Sequence, residues 1–103
     1  MVRLLKWLLM RYKLRFHELA LAEWNKLDNS VREPFKKKLA ERLEAPHVPA
    51  AELSGMSGCY KIKLLRVGYR LVYRVEDDIV FVTVIAVGKR DKLKVYDTAK
   101  SRL

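Results

Sequence analysis

Between Cys59 and Tyr73 the chain alternates apolar with cationic residues: Tyr60, Ile62 and Leu64 with Lys61 and Lys63, then, past a turn containing Gly68, Tyr69, Leu71 and Tyr73 with Arg70 and Arg74. A period of two sends alternate side chains to opposite faces of a strand, so this segment predicts a β-hairpin with one apolar and one positive face. Directly opposed residues of an antiparallel pair share a face, so any register that unites the six apolar residues also unites Lys61, Lys63 and Arg70. Like charges held side by side are destabilising unless an anion lies between them, and that face therefore suits phosphate.

The same patterning divides the rest of the chain. Tyr12, Leu14 and Phe16 alternate with Lys13 and Arg15, which predicts a first strand with one buried face. From Glu18 to Leu27 the period becomes helical through Ala20, Trp24 and Leu27, and Asp28-Asn29 supplies the turn that ends the helix. Ser30 and Glu33 form a capping box for a second helix, with Pro34 in its first turn and Val31, Phe35, Leu39 and Leu43 repeating every four residues up to Ala45-Pro46. The Lys36-Lys37-Lys38 run lies on this helix; a solvated outer face is the simpler reading and a polyanion contact the alternative.

His47 to Gly58, with Pro49, two glycines and two serines, reads as a loop. After the Glu76-Asp77-Asp78 turn, the β-branched run from Ile79 to Val87 predicts a central strand covered on both faces. Gly88-Lys89-Arg90 ends that strand, and Asp91 is placed to cap a short terminal helix with Leu93 and Tyr96, or Val95 and Ala99, as helical pairs. The order β-α-α-β-β-β plus a terminal helix predicts an α+β fold: an N-terminal strand and a helical hairpin packed on a mostly antiparallel sheet.

Length and charge narrow the function. The 103 residues suffice for one domain, and 22 Lys and Arg against 12 Asp and Glu leave a formal net charge of +10, which favours a polyanion over a neutral small substrate. Cys59 is the single cysteine, so an internal disulfide is excluded and a reducing cytoplasm fits best. His17 and His47 are too scattered to suggest zinc, and neither a metal nor another cofactor is implied. The apolar opening, Met1 to Met10, is interrupted by Arg3 and Lys6 and is too short to span a bilayer. Residues 1–9 are expected to be an appendage to a domain over residues 10–103.

Cys59-Tyr-Lys-Ile-Lys-Leu, Gly68-Tyr-Arg-Leu-Val-Tyr and Val87-Gly-Lys-Arg90 together resemble the RelE toxins of the RelE/ParE toxin–antitoxin superfamily. Ala22-Glu-Trp-Asn-Lys-Leu27, Val31-Arg-Glu and Lys36-Lys-Lys-Leu39 echo the same family in the same order, so the resemblance covers Met10 to about Leu103. It implies a metal-independent endoribonuclease that cuts mRNA in the A site of the 70S ribosome, against 16S rRNA, with a RelB-like antitoxin as partner and no membrane. The positions matching the family's catalytic set are Lys61, Lys63, Arg70, Arg90 and Tyr96. Arg74, farther along the cationic face, and Lys89 are further candidate RNA contacts. Related ParE toxins inhibit DNA gyrase by binding, share the fold and generally lack this set; a toxin of that kind is the alternative.

Metal-free RNA cleavage requires removal of the 2′-OH proton, stabilisation of charge on phosphorus and protonation of the leaving 5′-oxygen. The resemblance makes Lys63 the general base. Crowding by Lys61 and Arg70 disfavours one more positive charge on it. Lys61 and the planar fork of Arg70 would hold the phosphate, Arg90 would stabilise charge at the leaving oxygen, and Tyr96 would stack on an unpaired base. From the residues alone, a solvated strand face for Lys61 and Lys63 and core packing for Tyr96 remain open.

Overall fold

The computed structural model describes residues 12–91 and 94–103. The expectations for residues 1–9, for a start at Met10 and for Leu93 lie outside the described residues. The described chain runs β1 (Lys13–Phe16), α1 (Glu18–Asn25), α2 (Asn29–Glu44), a short 3-10 turn (Pro49–Ala51), β2 (Cys59–Leu64), β3 (Tyr69–Glu76), β4 (Phe81–Lys89) and α3 (Lys94–Ser101). Four strands form one sheet in the order β1-β4-β3-β2, antiparallel except where β1 runs parallel to β4. This is the predicted α+β arrangement.

The helical hairpin covers one face. Ala20 and Trp24 of α1 and Val31, Phe35, Leu39 and Leu43 of α2 are buried against Ile62, Leu71, Tyr73, Val82, Val84 and Val87 of the sheet. Trp24 lies between Phe16 and Phe35, with ring centroids 5.3 and 6.3 Å away. The capping of α2 differs from the capping box. Asp28 is the N-cap, and its carboxylate accepts from the Ser30 amide and hydroxyl, because a charged acceptor two residues earlier outcompetes the serine oxygen. With the helix starting at Asn29, Pro34 stands inside it rather than in its first turn, so the helix lacks one interior N–H donor.

Two strand expectations also shift. β1 is an edge strand whose Leu14 is 37% exposed, so its inner face is only partly covered. β4 starts at Phe81, and Ile79 and Val80 are exposed in the β3–β4 turn. The other face of the sheet carries a second core, in which Val95 and Ala99 of α3 pack with Leu53, Met56, Cys59, Val72, Ile85 and Ala86. The hairpin's positive face is therefore half apolar: Cys59 and Val72 share it with the cations. A bulge between Val72 and Tyr73 lets β3 and β4 keep both cores filled.

Candidate active site

The hairpin register fixes the site. Lys63 lies opposite Arg70, and Arg70 opposite Gly88, so one row of the sheet reads Lys63, Arg70, Gly88 across β2, β3 and β4. The next row on that face is Lys61, Val72, Ala86. The predicted union of Lys61, Lys63 and Arg70 thus holds in the structure, with Val72 as an apolar floor beside it.

Arg70 is the unusual member. It is only 7% exposed, and its Nη1 donates to the Tyr69 carbonyl at 3.0 Å. Among the described residues it forms no ion pair, whereas Arg15, Arg74 and Arg102 each reach a carboxylate. A nearly buried guanidinium without a counter-ion, facing a lysine across the strand pair, is an anion site by elementary electrostatics.

Arg90 directly follows β4 and is exposed, and its backbone N–H donates to the Gly68 carbonyl. That bond ties it to the β2–β3 turn immediately before Tyr69 and Arg70. Gly68 has φ +69°, a conformation open to glycine at little cost, so the turn that brings Arg90 to the Arg70 end depends on it. Tyr96 reaches the same face from α3. It is half-buried and packed against the second core, beside Val95.

Gly88 sets how closely α3 approaches. A Cβ at this position would stand 3.3 Å from Cγ2 of Val95, tighter than an ordinary contact. The alternation pattern marks Gly88 only as a strand end, so its role as the close-approach point at the end of the Lys63–Arg70 row is not visible in the sequence. Two further residues that sequence reasoning missed hold α3 from its other end. Arg102 donates to Glu23 of α1 through Nη1 at 2.9 Å and Nη2 at 2.8 Å, and also to the Ile85 carbonyl at 2.9 Å. Glu23 in turn accepts from the Val87 amide at 3.1 Å. Burial raises the Glu23 pKa, but the Arg102 and Val87 hydrogen bonds outweigh it and hold the carboxyl below its ordinary value.

Two predicted RNA contacts fall elsewhere. Arg74 lies four residues along β3 from Arg70, about 13 Å by strand rise. It pairs with Glu76 at 3.2 Å inside a network in which Arg15 and Thr83 also bond Glu76. Lys89 is opposite Tyr69 and so belongs, by alternation, to the face of the helical hairpin, exposed at its rim. Both would have to act from outside the row. Cys59 is buried, and burial pushes its thiol pKa up, which suits packing rather than nucleophilic chemistry. No described helix is long and apolar enough to cross a membrane.

A small α+β fold that gathers unpaired cations and a tyrosine on one sheet face defines a class of phosphate-handling domains. The comparisons narrow it. The family described as ParE toxin of type II toxin-antitoxin system, parDE, matches residues 14–93. The mRNA interferase toxin RelE of Escherichia coli strain K12 is 55% identical over 94 residues, which cover 91% of this chain and 99% of that one. A solved structure of a doubly arginine-substituted E. coli RelE toxin in the free state superposes with a TM-score of 0.84 at 54% identity, covering 91% of this chain and 99% of that chain. The toxin in the crystal structure of the intact E. coli RelBE toxin–antitoxin complex gives 0.76 at 57% identity, over 78% and 98% of the two chains. The chain belongs to the RelE/ParE family of type II toxins, and these relatives lie on its RelE side.

Proposed function

We propose that this protein is the toxin of a type II toxin–antitoxin pair, a metal-independent endoribonuclease that cuts mRNA in the ribosomal A site and so stops translation. The observation that carries the reading is Arg70, almost buried, without a carboxylate partner and directly across the strand pair from Lys63. A phosphate diester supplies the missing anion. In this reading Lys63 takes the proton of the 2′-OH as the 2′-oxygen bonds to phosphorus. Lys61 and Arg70 hold the two non-bridging oxygens, Arg90 stabilises charge on the 5′-oxygen as the P–O5′ bond breaks, and Tyr96 stacks on a base. The products are a 2′,3′-cyclic phosphate and a 5′-hydroxyl end. The proton delivered to the 5′-oxygen comes from solvent or from the conjugate acid of the base, since a guanidinium is a poor proton donor.

The rest of the assignment follows from the same reading. Residues 10–103 are one RelE-like domain with residues 1–9 as an appendage, the work site is the cytoplasmic ribosome, and a RelB-like antitoxin with an acidic segment neutralises the basic face. The test is primer-extension mapping on ribosome-bound mRNA. Wild type should produce A-site cuts with 5′-hydroxyl ends, and Lys63→Ala and Arg90→Ala, both at exposed positions, should reduce the rate at least 100-fold while remaining folded. Full cleavage by both variants rejects the site. Inhibition of DNA gyrase by wild type without any RNA ends would favour the ParE-like alternative.

A further inference from the structure

β2 closes the sheet on one side, and beyond Tyr60, which bridges to Glu52, its outer edge pairs with no other described strand. Two adjoining hollows of about 340 and 450 Å³ run along that edge, between β2 and α2. Lys38 of α2 and Lys63 of β2 line both, which makes them one groove. Lys61 and Arg42 flank one half and Arg66 the other, and no carboxylate lines either. Arg42 is a fixed wall: its Nη1 donates to the Tyr73 hydroxyl at 2.8 Å and to the Lys61 carbonyl at 3.3 Å. Lys38 and Arg66 are exposed and form no ion pair among the described residues, whereas Lys36 of the same lysine run pairs with Glu33 at 3.3 Å.

The floor of the groove is apolar. Ile62 and Leu64 are buried beneath it, and Leu65, 78% exposed, and Val67 stand at the hairpin tip beside Arg66. Cations along an apolar trough suit a single nucleic-acid strand, with phosphates toward the lysines and base or sugar faces on the aliphatic surface. Because Lys63 belongs both to this groove and to the Lys63–Arg70 row, a strand lying in the groove passes directly into the reacting position.

We propose that the groove between α2 and the open edge of β2 is a second RNA-binding track, which holds the message strand 3′ of the cut through Lys38 and Arg66. The 3′ side is assigned because, for a cut in the A site, the nucleotides on the 5′ side would be held by pairing with the tRNA of the preceding codon. The track rests on the endoribonuclease reading, and it adds contacts that none of the reacting groups makes. It also gives the third lysine of the run a task that the first, paired to Glu33, cannot share.

Steady-state cleavage of ribosome-bound mRNA by wild type, Lys38→Ala, Arg66→Ala and the double variant tests it. The double variant should raise KM roughly tenfold, leave kcat unchanged and flatten the slope of log(kcat/KM) against log salt by about 1.4, or about 0.7 per lost single-strand phosphate contact. Lys38→Arg should retain the wild-type KM. On a message ending two nucleotides 3′ of the cut, all variants should match wild type. An unchanged KM overturns the proposal, and so does a fall in kcat. The same KM penalty on the shortened message would mean that the groove holds ribosomal RNA. Altered antitoxin affinity with normal cleavage would assign it to the antitoxin. A wild-type protein that cuts no ribosome-bound message would instead reject the endoribonuclease reading, and the track with it.

Discussion

Val80, in the turn between β3 and β4, stands in the left-handed region at φ 58°. For an L-residue that conformation costs roughly 1–2 kcal/mol, and a branched Cβ suits it poorly. The turn keeps it because the Val80 carbonyl accepts from the Lys13 amide at 3.0 Å, which anchors the first residue of β1. Val80→Gly should relieve the strain at a cost of about 0.5–1 kcal/mol in unfolded-chain entropy. A net gain of about 0.5–1 kcal/mol is expected, read as a higher urea midpoint at unchanged m-value; a lower midpoint would refute the strain. The sequence hides this residue because the almost wholly apolar, largely β-branched run from Ile79 to Val87 has no punctuation to show where pairing begins. Lys61, Lys63 and Arg70 were legible for the opposite reason, since strict alternation leaves a strand only one way to face its charges. The same rule, applied past Gly88, places Lys89 on the other face.

At the scale of elements, α2 announced itself through four core residues at helical spacing, while its cap moved to Asp28 because competition between neighbouring acceptors is decided by local geometry. The second core was not legible. Cys59 and Val72 sit on a face that alternation labels positive, and the helix that covers them arrives from more than 20 positions away in sequence. That helix is fixed at one end by the close contact of Val95 over Gly88 and at the other by Arg102 on Glu23. Arg102→Ala removes the two bonds to Glu23 and the one to the Ile85 carbonyl and should lower stability by about 1–3 kcal/mol, seen in thermal unfolding at neutral pH. The pH dependence has a definite sign. Glu23 is held below its ordinary value of 4.5, so its contribution is complete above that pH and disappears as the pH falls through the lowered value. The gap between wild type and Arg102→Ala should therefore narrow in acid below 4.5. A gap that stays constant down to full protonation would show that lost packing, rather than the Glu23 carboxylate, accounts for it.

Over the whole molecule, charge is separated along the sheet. Arg70 stands near the start of β3, and Glu76 ends the strand about 20 Å away by strand rise, with Asp77 and Asp78 in the turn beyond it. Two of the acids there are engaged locally: Glu76 pairs with Arg15 and Arg74, and Asp77 accepts from the Tyr12 hydroxyl at 2.6 Å and is hydrogen-bonded to His47 at 2.8 Å. Lys61, Lys63, Arg70 and Arg90 form no ion pair among the described residues, so the positive charge at the site end is left uncompensated there. Such a distribution orients the protein toward a polyanion before contact and should make kcat/KM fall with salt while kcat changes little. Asp78, exposed at the far end, isolates this long-range part. In about 150 mM salt the screening length is near 8 Å, well short of the distance to the site, and Asp78→Asn should leave kcat/KM unchanged within twofold. In about 10 mM salt it approaches 30 Å, and removing the negative charge should raise kcat/KM. Stopped-flow or initial-rate cleavage at the two salt concentrations checks this. An equal effect at both would place Asp78 in direct contact with the ribosome or the message, because a field acting through solvent cannot escape screening.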